Sequence, residues 1–369
     1  MRAMKIIFSQ PSYELATKEV RAAVTATGGH LAPVTFRIGK RTVQPFSIAP
    51  WHAEKPAPDT DPILRVLRGD FFCLPFGGGT LGKEKHPVHG ETANRQWKLE
   101  SNTRKSLHLS LRTKVRPGRV NKRITLVPGH TVVYQEHTIT GMKGPMCLGH
   151  HATLKFNSPG RLSTSRRALG QVAPLPVEQP EARGYSILKP GAVFEDLRFV
   201  PMITGNTTDL SRYPNRRGFE DIAILCADPK LELAWTAVTF PEEGYVWFSL
   251  RDPRVLASTL LWMSNGGRHY APWNGRHVDV MGVEDLTAFF HYGLGPSAAP
   301  NSLSAQGLKT HHVLDAKQPF TVRYIMGVAG IPKRFDRVRH IVAGNDTVRL
   351  ISDSGKEVET PVNVGFVRG

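Results

Sequence analysis

The sequence predicts an all-β protein, a large antiparallel sandwich or barrel, on three observations. Short runs alternating apolar and polar residues recur along the chain, Gly, Pro and Asn punctuate them, and no βαβ alternation is present. From the N-terminus, the one stretch that suits an amphipathic helix is Glu14 to Thr25. Gly77 to Gly82, GGGTLG, satisfies a dinucleotide-type glycine pattern, but Pro87 follows closely and no phosphate-binding helix can open there, so it reads as a glycine-rich turn. Within the basic run Asn102 to Arg123, Leu107, Leu109 and Leu111 alternate with His108, Ser110 and Arg112, the pattern of a half-buried strand with a basic outer face. Further strands are read at Thr131 to Thr140, Cys147 to Phe156, Leu231 to Phe240 and Tyr245 to Arg251, the last two joined by a turn over Pro241 to Gly244. The Pro-rich piece Gln171 to Gly184 has strand patterns on both sides and is taken as a surface loop. A last strand spans Val278 to Glu284.

Composition bounds the function. A chain of 369 residues with 40% hydrophobic content can build a sizeable core, and one domain over residues 1–369 is expected. Three cysteines, Cys73, Cys147 and Cys226, lack CxxC spacing and read as reduced, mostly buried thiols. The opening MRAMKIIFSQPSYE has too short an apolar run for a signal peptide, and no segment approaches the ~18 apolar residues of a membrane span. A cytoplasmic protein without a membrane partner is the expectation. The net charge of +17 brings polyanions into question, but no zinc finger, helix-turn-helix or ribonucleoprotein motif accompanies it, so specific nucleic-acid binding is not expected. The histidines His86, His89, His150, His151, His311 and His312 show no metal-ligand spacing, and neither metal nor cofactor is expected.

Chemistry concentrates between Leu260 and Asp285. A period of two puts Val278, Val280, Gly282 and Glu284 on one strand face, so a small apolar row ends in a carboxylate whose partial desolvation would raise it toward useful base strength. The preceding loop carries Gly266, Gly267, Arg268, Tyr270, Trp273 and Arg276: flat rings for sugar C–H faces and forked donors for hydroxyls. The same residues would also suit a packed loop whose arginines make structural ion pairs. Parity within Cys147 to Phe156 turns His151 toward a cleft or solvent and His150 into the packing. His89 sits in a turn that could aim its ring at a ligand or bond it to backbone.

Four blocks, RGDFFCLPFG from Arg68, HGETANRQW from His89, GHHATLKF from Gly149 and WNGRHVDVMGVED from Trp273, stand in an order that resembles the galactose mutarotase-like superfamily, the aldose 1-epimerases and hexose-phosphate 1-epimerases. The resemblance implies a large antiparallel β-supersandwich with an open carbohydrate-binding cleft for a monosaccharide or sugar derivative. It makes His151 the catalytic acid and Glu284 the base, with His89, Arg68 and, more loosely, Asp221 at the sugar. Arg95 and Trp97 fit the later part of the second block, and Arg268 with Trp273, or Trp247 beneath the ring, would complete the binding set. Where hexose-phosphate epimerases carry a second glycine and an arginine, this chain has Asp70 and Ala93, which implies a neutral or uronic sugar rather than a 6-phosphate, the more so if Asp70 points inward.

The activity expected on this resemblance is anomer interconversion. Two other readings stay open: a non-catalytic carbohydrate-binding protein on the same fold, and a glycoside hydrolase pairing Glu284 with Asp221 or Asp285 across the ~5 to 9.5 Å such enzymes need.

Overall fold

A computed structural model describes residues 3–369. Two large sheets dominate, both wholly antiparallel. The nine-stranded sheet runs Arg212–Tyr213, Gly160–Thr164, Ala234–Phe240, Tyr245–Arg251, Phe320–Gly330, Val132–Thr140, Gly118–Thr125, Ser106–Thr113 and Lys98–Asn102. In the eight-stranded sheet, the strands that matter for function are Phe219–Ala227, Ser258–Asn265, Val280–Thr287, Leu148–His150 and Phe72–Cys73, adjacent in that order. The strands Tyr245–Arg251 and Val132–Thr140 lie where the alternation placed them, to within a residue.

The middle of the nine-stranded sheet is buried on both faces, whereas its end strands Gly118–Thr125, Ser106–Thr113 and Lys98–Asn102 keep one face partly in solvent. Along Tyr245–Arg251, Tyr245 and Trp247 point into the main core, whereas Val246, Phe248 and Leu250 point into a second core. That second core is closed by the strands Val338–Ala343, Thr347–Ser352 and Glu357–Pro361 with the short helix Gly365–Arg368. Trp247 is consequently fully enclosed between sheets and cannot lie beneath a sugar ring, contrary to the sequence-based expectation. Alternation marks a strand's two faces, but it does not say that one of them is open.

The helix expected over Glu14 to Thr25 is instead a hairpin, Gln10–Ala16 and Val20–Thr25, in register from Ser12 opposite Thr25 to Ala16 opposite Arg21. Tyr13 and Leu15, then Val20, Ala22 and Val24, are buried at a period of two, and the Thr17 hydroxyl accepts from the Val20 amide across the turn. β-Branched residues and that turn outweigh the helical spacing. With Lys5–Ile7, Leu31–Ile38 and Arg41–Val43 the hairpin makes a five-stranded sheet.

All three cysteines are buried and free. Among the described residues no helix is long and apolar enough to cross a membrane, and no group of three or more His, Cys, Asp or Glu side chains is placed to hold a metal ion.

Candidate active site

The expected strand Cys147 to Phe156 is broken at His151 into Leu148–His150 and Ala152–Lys155, yet both pieces pair with Val280–Thr287 in one continuous register. Gly149 opposes Leu286 and Ala152 opposes Val283, so the intervening His151 stands across from Glu284. Opposed residues share a sheet face, and this is what brings the two side chains together. His151 Nε2 lies 3.2 Å from Glu284 Oε1, off the line of a hydrogen bond, so that this buried oxygen has no hydrogen-bond partner. On the imidazole's other side Nδ1 is 3.2 Å from the Thr153 hydroxyl.

On the neighbouring chain segment Phe71 stacks on the His151 ring, with centroids 4.4 Å apart. The His151 amide donates to the Phe71 carbonyl, which fixes the break in the strand. Burial pushes the Glu284 carboxyl well above its ordinary value. Burial, with His89 second, pushes His151 well below its own. Both groups therefore favour the neutral form.

His89 adopts a left-handed backbone conformation at φ 59° and meets His151 edge-on, with centroids 4.8 Å apart. Its Nδ1 accepts from the Gly77 amide at 3.4 Å, which leaves Nε2 as the protonated donor. Burial, and then the nearby His291, depress His89 to about 3, so the ring stays neutral. Here the glycine-rich turn has its use. A side chain on Gly77, itself at φ 78°, would sit 2.3 Å from the His291 carbonyl oxygen.

These groups line a cleft of about 520 Å³. Its aromatic wall is Trp262, Tyr270 and Trp273, with Ile222 and Leu64 beside them. Arg268 lies over the rings of Trp273 and Trp262, at 4.5 and 5.4 Å, and its Nε donates to Glu178 at 2.6 Å. Burial alone would lower the Arg268 guanidinium, but Glu220 and Glu178 together hold it above its usual value. The aromatic loop is thus both things the sequence allowed, a packed ion-pair network and a cavity wall. Arg276 takes no part in the lining; it pairs outward with Glu54.

Several expected binding residues lie elsewhere. Arg68 is buried and donates to the carbonyls of Val66, Ile7 and Phe8, clamping the N-terminal hairpin. Arg95 pairs with Glu91 and with the Arg112 carbonyl. Asp221 accepts from the amides of Ile187 and Leu188, on the face opposite Ile222. Asp285 is turned between the sheets, bonded to Arg251, Ser249, Thr259 and Tyr324. Asp70 points away from the cleft too, toward His150 at 2.9 Å and Gln135 at 2.6 Å, so it repels no ligand there. Each of these charged groups is taken up by hydrogen bonds or an ion pair away from the cleft.

Besides Glu178, four contributors went unnoticed in the sequence. Glu220, one residue from Asp221 and of opposite parity, accepts from Trp262 Nε1, Ser264 and the Gly267 amide beneath the aromatic wall, and burial raises it to about 7. Strand alternation next to Ile222 carried that signal. Asp59, Asp61 and His291 line the cleft from irregular segments, where no periodicity exists to find them.

His150 faces the core as parity indicated, in contact with Asp70 and stacked on Tyr324. His150→Asn is expected to cost ~1–3 kcal/mol of stability, through a weakened buried hydrogen bond, and to leave turnover within a few-fold of wild type. Denaturant midpoints read beside kcat check this.

No family model matches the chain, and no curated protein is similar to it. Solved structures are. A candidate aldose 1-epimerase from Escherichia coli K12 superposes with a TM-score of 0.58 over 87% of this chain and 99% of its own, at 14% identity. The fold is galactose mutarotase-like. A galactose mutarotase related enzyme from Lactobacillus acidophilus gives 0.56 at 11% identity over 87% and 99% of the two chains. A galactose mutarotase-like protein from Lactobacillus casei gives 0.55 at 11% over 86% and 99%. The mutarotase-type supersandwich expected from the four sequence blocks is therefore the observed architecture.

Proposed function

We propose that the protein is an aldose 1-epimerase-like isomerase that interconverts the anomers of a neutral monosaccharide, with Glu284 as base and His151 as acid. The observation that carries this reading is the buried, unaligned 3.2 Å approach of His151 Nε2 to Glu284 Oε1 on the floor of an aromatic-walled cleft. Such a cleft is within the usual range for a small ligand.

Anomer interconversion removes the C1 hydroxyl proton while the ring oxygen gains one and the C1–O5 bond breaks. The pair suits this step without taking up or losing protons overall. A protonated Glu284 beside a neutral His151 holds the same number of protons as a carboxylate beside an imidazolium, and the second arrangement is the reactive one. A polar substrate entering between them would restore favourable surroundings for the charged form. After ring opening, rotation about C1–C2 presents the other carbonyl face, and the pair runs in reverse. His89 Nε2–H is available to a sugar hydroxyl, and Trp273 and Trp262 to C–H faces. Neither acid that a hydrolase would have paired with Glu284, Asp221 or Asp285, lines the cleft.

Substrate charge follows from the lining. Arg268 is the one Lys or Arg among the described lining residues, and its charge is committed to Glu178 and Glu220, while Asp59 and Asp61 add negative charge. That supports neutral sugars over 6-phosphates, and it removes the support for uronic acids that the sequence had suggested. Freshly dissolved single anomers of neutral aldoses, their 6-phosphates and uronic acids, followed by NMR exchange against the spontaneous rate, test both points. Acceleration is expected for neutral aldoses, at least ~10-fold above the charged panels. A preference for a phosphosugar would reverse the substrate assignment, and binding without acceleration would leave a carbohydrate-binding protein.

A further inference from the structure

A second cleft, of about 360 Å³, lies on the five-stranded sheet and shares no lining residue with the first. It is lined by Lys18, Arg21, Arg37 and Arg104, with the hydroxyls of Thr17, Thr35 and Thr42 and a single acid, Glu19. Four cations thus face one carboxylate.

The strand register explains the gathering. Arg21 opposes Thr35 on the next strand, Arg37 follows Thr35 by two residues, and Thr42 opposes Arg37 on the third, so all four project from one face. Their neighbours Val20, Ala22, Val34 and Phe36 fill the opposite, buried face. The loop carrying Arg104 is tied to the same sheet by the Ala16 amide, which donates to the Arg104 carbonyl at 2.6 Å.

Most of the chain's arginines that approach an acid are paired with it, at Glu84, Glu91, Asp196, Asp252 and Glu178 among others. In this cleft no ion pair forms among the described residues. Like charges placed together in a concave site, without counter-charges, repel one another unless a ligand neutralises them. Three guanidinium forks and an ammonium, interleaved with hydroxyls, are the donor set that phosphate oxygens accept from.

We propose that this cleft is a binding site for a compact polyanion, a small molecule carrying two or more adjacent phosphate groups. Inorganic tripolyphosphate is the probe, titrated calorimetrically into the full-length protein at physiological salt. One saturable site is expected, with affinity at least ~10-fold above that for orthophosphate, because several donors engage at once. Arg21→Gln/Arg37→Gln should weaken it a further ~10-fold or more, whereas the charge-matched Arg217→Gln/Arg339→Gln, both exposed and outside the cleft, should change it less than ~2-fold. All four positions are exposed, so melting temperatures should be kept. If the first double variant fails to fold, Arg104→Gln, from a separate loop, reads the same site. No saturable binding, equal affinity for orthophosphate, or equal weakening by both double variants would overturn the proposal.

Discussion

Glu284→Gln is expected to lower kcat by ~10²-fold or more while making the protein more stable at neutral and alkaline pH. The loss follows from the proposed chemistry: an amide cannot take the C1 hydroxyl proton. The gain follows from burial. Desolvation raises the folded-state carboxyl well above its ordinary range, so between the two values the native chain holds a proton that the unfolded chain releases. Wild-type stability from this group is complete below the ordinary carboxylate range and is lost as pH rises toward the folded value. Glutamine has no such slope. Melting curves of the two proteins should therefore converge at acid pH and separate as pH rises, with the variant higher. Glu220, raised to about 7, adds a slope of the same sign, but it is present in both proteins and cancels.

His151→Asn should cost a comparable factor in kcat, and its stability signature has the opposite sign. The folded imidazole is depressed below its ordinary value, so His151 costs wild type stability as pH falls below the usual histidine range; the asparagine variant lacks that contribution, while the other depressed histidines, His89 among them, are common to both proteins. If either variant keeps wild-type kcat, that residue has no part in proton transfer.

How much of this site was legible beforehand depends on how each residue is held. Glu284 and His151 sit on one sheet face, opposite each other on paired segments, and period-two alternation with the four ordered blocks singled them out. Arg68, Arg95 and Asp221 were misplaced because a block that matches a family's order does not say whether a charge meets ligand or backbone; here backbone carbonyls, backbone amides and Glu91 take them up. Trp247 was misplaced because its strand is covered on both sides, which alternation cannot report. Glu178 came from the Pro-rich loop, read as surface, yet it is buried against Arg268 and Tyr270. The second cleft is visible in the sequence only as diffuse charge, because the segment that carries Arg21 reads as a helix and no strand is read around Arg37.

Gly282→Ala should lower kcat by ~10²-fold with little change in stability. Gly282 precedes Glu284 by two residues on the same face, and a Cβ there would stand 2.1 Å from Glu284 Oε1 and 3.1 Å from the Trp262 Cβ. The closest atom is the end of a side chain that can swing aside, so folding loses little. Chemistry loses more, because the atom that must move is the proposed base itself. An extended strand accepts alanine without backbone strain, which separates this effect from the usual role of glycine. The decisive measurement is a double-mutant cycle. If Gly282 acts only by leaving room for the carboxylate, Gly282→Ala in a Glu284→Gln background should cost almost nothing further, since the group it displaces is already inert. Losses that multiply in the double variant would mean that Gly282 serves something else, such as the seat of Trp262, and that Glu284 reaches the sugar from a conformation other than the one seen.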